Sequence, residues 1–264
     1  MTRPTFLVVG GQRCGTTWLY HLLDAHPQVF MARPPRPEPK LFVRADLTAE
    51  DIETYETQWF GGGDAQSARA RGEKSTSYLE TPGTAGRIAA AYPEIKILAI
   101  LRHPLERAVS NYAFSRRNGL ETAPLDEAIR DEDQRVAAHA FDGVSAHPFA
   151  YSMRSRYADL LEPYRQQFGA DHLGLFLYDD LVRNPADTCA AIYRFLEVDS
   201  TFSPGDYSTR YNESPLTDAS VTRASLEFLR DRITASNRRL AAWLGRDLSH
   251  WDELTPSIES LLQK

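Results

Sequence analysis

The fold is decided by the opening stretch Thr5-Phe6-Leu7-Val8-Val9-Gly10-Gly11-Gln12-Arg13-Cys14-Gly15-Thr16-Thr17. Residues 5–9 form a short, continuous apolar run, which is typical of a strand buried on both faces of a parallel sheet. Residues 16–24 place large apolar side chains at helical spacing, and the following His26-Pro27 pair ends the helix. Strand, glycine turn and helix in this order predict the start of a βαβ unit.

The same alternation returns along the chain. Residues 95–101 give the strongest strand pattern, and a helix is expected from Pro104 to about residue 118. Residues 172–178 predict a third strand with a helix from about 185 to 196, and residues 226–244 predict a long amphipathic helix. We therefore predict an α/β fold: a single P-loop-like domain, residues 1–264, with a central parallel sheet flanked by helices.

Composition narrows the class of protein. The chain has 264 residues, is 42% hydrophobic and 25% charged, and its 30 basic and 36 acidic side chains give a net charge of −6. These values exclude disordered and collagen-like chains, and the acidic balance argues against nucleic-acid binding. Two cysteines cannot make a disulfide framework, which predicts a reducing, cytoplasmic setting. No apolar run approaches the ~18 residues of a membrane span, and the N-terminus lacks the apolar region of a signal peptide.

The loop after the first strand has the spacing of a phosphate-binding loop. Gly10 and Gly15 are separated by four residues and followed by two threonines, although Thr16 stands where a nucleotide triphosphatase has lysine. Glycines allow the backbone N–H groups to approach an anion, and the helix N-terminus adds partial positive charge. Hydroxyls of Thr16 and Thr17 and the guanidinium of Arg13 supply further donors. The alternative is an ordinary tight turn before a helix.

Residues 10–19, with Leu22, His26 and Pro27, resemble the 5′-phosphosulfate-binding loop and first helix of sulfotransferases that use 3′-phosphoadenosine 5′-phosphosulfate (PAPS). Many members have lysine where this chain has Arg13, and the resemblance implies that Arg13 is a catalytic cation. It also implies that 3′,5′-adenosine diphosphate is the product. The expected cofactor-binding residues of this loop are Gly11, Gln12, Arg13, Cys14, Gly15, Thr16, Thr17 and Trp18.

A second basic segment follows the strongest strand. Residues 101–120 hold four arginines and one acidic residue, Glu106, so this segment is positively charged although the net charge of the whole chain is negative. Arg102 ends the strand and Ser110 lies two helical turns on, so both could meet one phosphate beyond the strand's carboxyl end. The segment resembles the 3′-phosphate-binding strand and helix of the same family, with His103 in place of the usual aspartate. Arg116 and Arg117 are expected on a solvated helix face.

Residues 33–42 contain a single carboxylate, Glu38, among four prolines. Proline fixes φ and removes backbone donors, so this loop is stiff and can aim one carboxylate at one point. Glu38 and the Leu41-Phe42 pair resemble the acidic segment of the heparan-sulfate-type N- and 3-O-sulfotransferases, which implies that Glu38 is the general base. Lys40 falls where that group often has histidine and is expected to bind substrate. The alternative is a polar surface loop.

Residues 72–78 resemble a further family segment with the pattern Glu-Lys-Thr-Pro-x-Tyr, from which Ser75-Thr76 departs. The resemblance implies that Lys74 stabilises charge at the transferring sulfuryl group and that Glu73 and Tyr78 lie at the substrate. Residues 207–215 occupy the place of a loop over the nucleotide, which makes Arg210 and Asn212 candidate cofactor contacts.

The acceptor is expected to bind near residues 124–156, which we predict to be irregular and rich in aromatic residues, with Arg154 as a substrate-binding residue. The histidines and cysteines show no metal-ligand spacing, so no metal is expected. The leading hypothesis is a PAPS-dependent sulfotransferase acting on a hydroxyl or amine of a small-molecule or carbohydrate acceptor. The alternatives are a P-loop nucleotide kinase or nucleotidase, and a regulatory nucleotide-binding protein that has lost its base.

Overall fold

In the part of the chain that the structure describes, five parallel strands form one sheet, in the order β2-β3-β1-β4-β5. The structure is a computed structural model that describes residues 2–138, 148–207 and 221–262. The strands are β1 (Phe6–Gly10), β2 (Val29–Met31), β3 (Ala70–Lys74), β4 (Lys96–Leu101) and β5 (Leu173–Leu177). All five residues of β1 are buried, as its continuous apolar run predicts for a central strand.

The described α-helices alternate with these strands and agree in class with the prediction. They are α1 (Thr16–Asp24), α2 (Ala49–Phe60), α3 (Gly63–Ser67), α4 (Thr84–Ala91), α5 (Pro104–Arg117), α6 (Leu125–Arg130), α7 (Glu132–Ala138), α8 (Tyr157–Phe168), α9 (Tyr178–Arg183), α10 (Pro185–Phe195), α11 (Arg223–Leu244) and α12 (Pro256–Glu259). Short 3-10 turns occur at Leu41–Val43, Met153–Ser155 and Ser249–Asp252. The α/β fold with a central parallel sheet is confirmed.

The chain groups into two compact units. The first comprises the described residues of 1–101 and 161–212 and contains the sheet; the second comprises those of 102–160 and 213–264. In the first unit, β1 pairs with β3 on one side and β4 on the other, and the Gly11 N–H donates to the carbonyl of Ile100 at 2.8 Å. Strand order therefore reverses beside β1, where ligands bind in open α/β sheets. The assignment of residues 1–264 to one domain stays a prediction.

The second unit has its own apolar core, built from α5, α6 and α11. Helix α11 begins after Thr222, whose hydroxyl accepts from the Ser225 N–H at 3.2 Å, and ends at Gly245 in a left-handed conformation. The core residues are Leu105, Ala108, Val109, Tyr112, Leu125, Ala128, Ile129, Tyr151, Val221, Leu226, Leu229, Ile233 and Ile258. The apolar face predicted for this helix is thus confirmed.

Candidate active site

The loop between β1 and α1 is built so that only glycine fits at its two ends. Gly15 has φ of +86°, and a Cβ there would lie 2.7 Å from the ring of Tyr178. A Cβ on Gly10 would lie 2.9 Å from the Leu79 side chain. Arg13 adopts a left-handed φ of 67°, which is uncommon for a residue with a side chain and clusters at functional sites. The backbone of this loop is therefore held in an unusual, closely packed turn.

Helix α1 presents its N-terminal end at this loop. Its N-cap is Gly15, which has no side chain to accept from the first-turn N–H groups, and the first turn contains no acidic residue. Such an end carries partial positive charge and suits an anion. Gln12, Arg13 and Thr17 are half-buried, whereas Thr16 is buried.

Two of the predicted cofactor-binding residues support the loop from below the surface. Cys14 is fully buried, and its Sγ lies 3.6 Å from the Gln12 carbonyl oxygen. Trp18 is 3% exposed and packs edge-on against Tyr178 with 6.2 Å between ring centroids. Their side chains therefore shape the turn, and contact with a nucleotide stays a prediction for both.

Glu38 and Lys74, which sequence analysis assigned to catalysis, are brought together. The Lys74 ammonium donates to Glu38 Oε1 in an ion pair. Thr76 donates to the same carboxylate twice, from its N–H to Oε2 at 3.0 Å and from its hydroxyl at 3.1–3.2 Å. The Lys74 side chain is 3% exposed and that of Glu38 is 13% exposed. A single carboxylate is thus fixed by three donor groups at an almost closed site.

The cluster adjoins the glycine loop through the sheet. Lys74 ends β3 and lies opposite Val8 of β1, and the Leu79 N–H donates to the Val9 carbonyl at 3.1 Å. Because β1 leads directly into the loop at Gly10, the Glu38–Lys74 pair and the loop start from neighbouring strand ends. Both belong to the same compact unit.

The loop that carries Glu38 is anchored directly after that residue, at Lys40 and Phe42. The Lys40 N–H donates to the Ser75 hydroxyl at 2.9 Å, and the Phe42 N–H donates to the Tyr78 hydroxyl at 3.4 Å. Phe42 is fully buried within 5.7–6.0 Å of three tyrosine rings. Lys40 itself has a left-handed φ of 52° and is half-buried. The proline-stiffened loop is therefore held in place over the end of β3.

Glu73 and Tyr78, predicted to bind substrate, are both fully buried. The Tyr55 hydroxyl donates to Glu73 Oε1 at 3.4 Å. Burial raises the pKa of Glu73 to about 7, against the opposing influence of the nearby Ser75 and Tyr78 hydroxyls. Both side chains therefore occupy supporting positions, and direct contact with an acceptor stays a prediction.

Thr76, Ser75 and His21 are site residues that the sequence analysis did not assign. Ser75-Thr76 stood out only as a departure from the family pattern, yet both hydroxyls bond the Glu38 loop. His21 of α1 lies within electrostatic range of Lys74: burial lowers the pKa of His21, Asp24 opposes that, and Lys74 lowers it further. No local pattern in the sequence indicated Thr76, because the strand before it is polar and its partner Glu38 lies 38 residues away.

In the second unit, Arg102 is held by Glu106 of α5 and by Tyr157. Its Nε and Nη2 donate to Glu106 Oε2 at 3.2 and 3.0 Å. The Tyr157 hydroxyl donates to the Arg102 carbonyl at 2.8 Å and accepts from the Arg102 N–H at 3.4 Å. Ser110 lies half-buried on α5, two turns after the helix begins. The structure thus fixes Arg102 firmly. That Arg102 and Ser110 contact one phosphate stays a prediction.

Other residues of the basic segment are structural. Arg107 is fully buried and donates to the Ser155 hydroxyl and the Tyr151 carbonyl at 2.7 and 2.6 Å. His103 makes no side-chain cap to α5 among the described residues; its Nε2 instead pairs with the His250 carbonyl at 3.2 Å. The replacement of aspartate by histidine therefore removes the capping contact, as its chemistry suggests.

The region expected to line the acceptor differs from the prediction. Residues 124–156 are not irregular throughout, because Leu125, Ala128 and Ile129 pack into the core and form α6, followed by α7. Arg154 is 4% exposed and its Nη1 donates to Asn111 Oδ1 at 3.1 Å, so it too has a buried, supporting position. The candidate cofactor contacts Arg210 and Asn212 lie outside the described residues.

The described residues contain neither a metal-binding cluster nor a membrane-spanning helix. No group of three or more histidine, cysteine, aspartate or glutamate side chains among them is arranged to hold a metal ion. No helix in the described ranges combines the length and apolar character needed to cross a membrane.

Comparison with curated proteins finds sulfotransferases. The chain is 32% identical over 203 residues to bifunctional heparan sulfate N-deacetylase/N-sulfotransferase 2 of Bos taurus, covering 74% of this chain and 22% of that protein. It is 30% identical over 158 residues to membrane-associated sulfotransferase kil1 of Dictyostelium discoideum, covering 57% of this chain and 32% of that protein. The chain therefore spans about a fifth to a third of the length of these relatives.

Solved structures agree. A sulfotransferase from Alicyclobacillus acidocaldarius superposes with a TM-score of 0.78 at 28% identity, covering 96% of this chain and 100% of that one. The sulfotransferase domain of the Synechococcus PCC 7002 olefin synthase shares the fold, with a TM-score of 0.51 at 18% identity over 93% of this chain and 96% of that one. The model of the sulfotransferase domain family matches residues 3–242. With this match across most of its length, the chain belongs to the sulfotransferase family.

Proposed function

We propose that this protein is a PAPS-dependent sulfotransferase that acts on a hydroxyl, or an amine, of a small-molecule or carbohydrate acceptor, with Glu38 as its general base. The observation that carries the proposal is the Glu38–Lys74–Thr76 cluster beside the end of β1. Family membership favours it over the kinase or nucleotidase alternative. The cytoplasmic location expected from the cysteine content stays a prediction.

The loop after β1 fits the phosphosulfate end of the donor. Gly10 and Gly15 leave no room for a Cβ, so the backbone turns tightly, and the α1 N-terminus follows without an acidic residue. Residues 11–18 would hold this end through backbone N–H groups and through the Thr16 and Thr17 hydroxyls. The donor supplies an electrophilic sulfuryl group and leaves as 3′,5′-adenosine diphosphate. No metal is required by this proposal.

Glu38 is suited to accept the proton of the acceptor nucleophile. Thr76 and Lys74 fix both carboxylate oxygens, so the base has one orientation before an acceptor arrives. Fixing a reactive group in advance is a main source of rate enhancement in in-line group transfer.

Lys74 and Arg13 supply positive charge where negative charge develops. Lys74 is held at a nearly closed position by Glu38 and can stabilise charge at the transferring group more strongly there than in water. Arg13 projects from the loop itself, and because a guanidinium stays charged, it acts through electrostatics and hydrogen bonds and not by giving up a proton.

Arg102 and Ser110 are proposed to bind a nucleotide 3′-phosphate, with Arg210 and Asn212 as further candidate cofactor contacts. Glu106 holds the Arg102 guanidinium and Tyr157 holds its backbone, which supports this role because a fixed guanidinium binds phosphate with less loss of side-chain entropy. On the acceptor side, Lys40 is half-buried, whereas Glu73, Tyr78 and Arg154 are buried. We therefore propose Lys40 as the acceptor contact and the other three as support.

The test is transfer of labelled sulfuryl from PAPS by the purified chain to a panel of acceptors that includes a sugar, a phenol and an amino alcohol. We expect labelled product with at least one acceptor and its loss in Glu38→Gln. Absence of transfer to any acceptor, together with absence of 3′,5′-adenosine diphosphate binding, would contradict the proposal.

A further inference from the structure

The acid within the basic segment, Glu106, has both carboxylate oxygens bound. Oε2 accepts from Nε and Nη2 of Arg102 at 3.2 and 3.0 Å. Arg102 lies four residues before Glu106 in sequence. Oε1 accepts from the Ser257 hydroxyl of α12 at 3.0 Å. All three residues belong to the second compact unit. A residue near the C-terminal end is thus joined to Arg102 through a single carboxylate.

The environment keeps this carboxylate charged. Burial acts to raise the pKa of Glu106, but the Arg102 guanidinium and the hydroxyls of Thr255 and Ser257 outweigh it, so the pKa lies below its ordinary value. The Glu106 side chain is 21% exposed and that of Arg102 is 25% exposed. An ion pair on the surface contributes little to stability, but here Ser257 also holds the Glu106 carboxylate through its other oxygen.

Geometry fixes both ends of Arg102. A guanidinium is planar, and contacts at Nε and Nη2 set the direction of that plane. The backbone is fixed separately by the Tyr157 hydroxyl, which bonds both the carbonyl and the N–H of Arg102. Tyr157 is 1% exposed and packs edge-on against Trp251 at 5.9 Å. The Arg102 guanidinium is therefore oriented without help from any ligand.

We propose that Ser257 and Glu106 are positioning residues that orient the Arg102 guanidinium for a nucleotide 3′-phosphate. This inference rests on the proposed role of Arg102. Selectivity for a nucleotide that carries a 3′-phosphate then depends on the Ser257 hydroxyl, although Ser257 lies far from Arg102 in sequence. Without the anchored carboxylate, the long arginine side chain must be ordered at the moment of binding, and that cost lowers affinity for the 3′-phosphate alone.

The experiment measures by calorimetry the ratio of the Kd for 5′-adenosine monophosphate to the Kd for 3′,5′-adenosine diphosphate. We expect Glu106→Gln and Ser257→Ala each to lower this ratio by about 3- to 10-fold, the range for losing the pre-ordering of one long side chain. Ser257→Thr, which keeps the hydroxyl, should restore the ratio. Ser260→Ala is the matched control, because its hydroxyl donates to the Ser257 carbonyl and not to Glu106.

Arg102→Ala distinguishes a failure of the proposed 3′-phosphate site from a failure of the positioning role of Ser257 and Glu106. It should lower the ratio on its own and abolish the effects of Glu106→Gln and Ser257→Ala when combined with them. A ratio that Arg102→Ala leaves unchanged would overturn the proposed 3′-phosphate site itself. A ratio that Arg102→Ala lowers, but Ser257→Ala and Glu106→Gln leave unchanged or raise, would overturn the positioning role alone. Since Ser257 is exposed, its variant remains informative even if Glu106→Gln fails to fold.

Discussion

Replacing Glu38 by glutamine changes the proposed base while keeping its shape. The amide oxygen can still accept from Lys74 and Thr76, whereas the amide nitrogen cannot accept at all. The variant therefore removes the negative charge and the proton acceptor from a site that is otherwise intact. We expect it to bind the nucleotide as the wild type does, because the glycine loop and Arg102 are untouched.

The size of the effect has a chemical and a structural part. Loss of a positioned general base should lower kcat by about 10²- to 10⁴-fold. The structural part arises because Lys74 is 3% exposed and loses its counter-charge. The free energy of unfolding should fall by about 2–4 kcal/mol, between the loss of one charge-assisted hydrogen bond and the full breakage of a buried ion pair.

The assay follows sulfuryl transfer from labelled PAPS to the best acceptor of the panel, with urea unfolding and nucleotide Kd measured on the same samples. Thr76→Val is the matched control, since it removes one hydroxyl donor to Glu38 but keeps the carboxylate and the backbone N–H donor. We expect it to lower kcat by about 3- to 10-fold, the cost of a less well oriented base. A folded Glu38→Gln variant that turns over like the wild type would refute the role of Glu38.

Three further outcomes are expected. Lys74→Met should lower kcat, measured by steady-state kinetics, by about 10²- to 10³-fold with little change in the nucleotide Kd, measured by calorimetry. A variant with unchanged kcat and a weaker nucleotide Kd would contradict this role. Gly15→Ala should lower the free energy of unfolding in urea by about 1–3 kcal/mol and weaken nucleotide binding, because the Gly15 φ is +86° and a Cβ there would lie 2.7 Å from the Tyr178 ring. Gly62→Ala is the control and should be nearly neutral, because no atom lies within 4 Å of its added Cβ. Equal losses of stability in the two variants would contradict the role of Gly15. Glu73 has a folded-state pKa of about 7 against an ordinary value of 4.5, so the wild-type free energy of unfolding should fall as pH rises through this window, by up to about 3 kcal/mol. Glu73→Gln should therefore stabilise the protein relative to wild type at about pH 8 but not at about pH 5, and a pH-independent difference in Tm would argue against that buried carboxyl.

The elements that could be predicted from the sequence are those whose apolar pattern matches their burial. The strands β1, β4 and β5 are mostly apolar, and α1, α5, α10 and α11 begin and end within a few residues of the predicted positions. In each case one physical quantity, the removal of apolar side chains from water, determines both the sequence pattern and the structure.

The strand β3 could not be predicted in this way. Its sequence, Ala70-Arg71-Gly72-Glu73-Lys74, is polar, yet Glu73 and Lys74 are buried. The tertiary structure compensates for this burial: Glu38 pairs with Lys74, and Tyr55 donates to Glu73. Partners that lie 18 and 36 residues away in sequence cannot be found from local periodicity. A polar strand of this kind is expected where a site needs buried charge.

The candidate site could be predicted only in part, because its contacts also join residues that are distant in sequence. Glu38 and Lys74 were found through motif resemblance, and they come close because β2, which leads into the Glu38 loop, pairs with β3, which ends at Lys74. The role of Thr76 depends on a hydrogen bond across the Glu38 loop, which no spacing rule indicates. Likewise, α6 was missed because its helix-forming stretch is short and stabilised by packing in the second unit.

The most direct test of the central claim is calorimetry with 3′,5′-adenosine diphosphate and, separately, with ATP. The glycine loop is proposed to bind a 5′-phosphosulfate and Arg102 a 3′-phosphate, and Thr16 replaces the lysine on which triphosphate binding relies. We predict that the bisphosphate binds about tenfold or more tightly than ATP. Tight binding of ATP with no response to the bisphosphate would contradict the account.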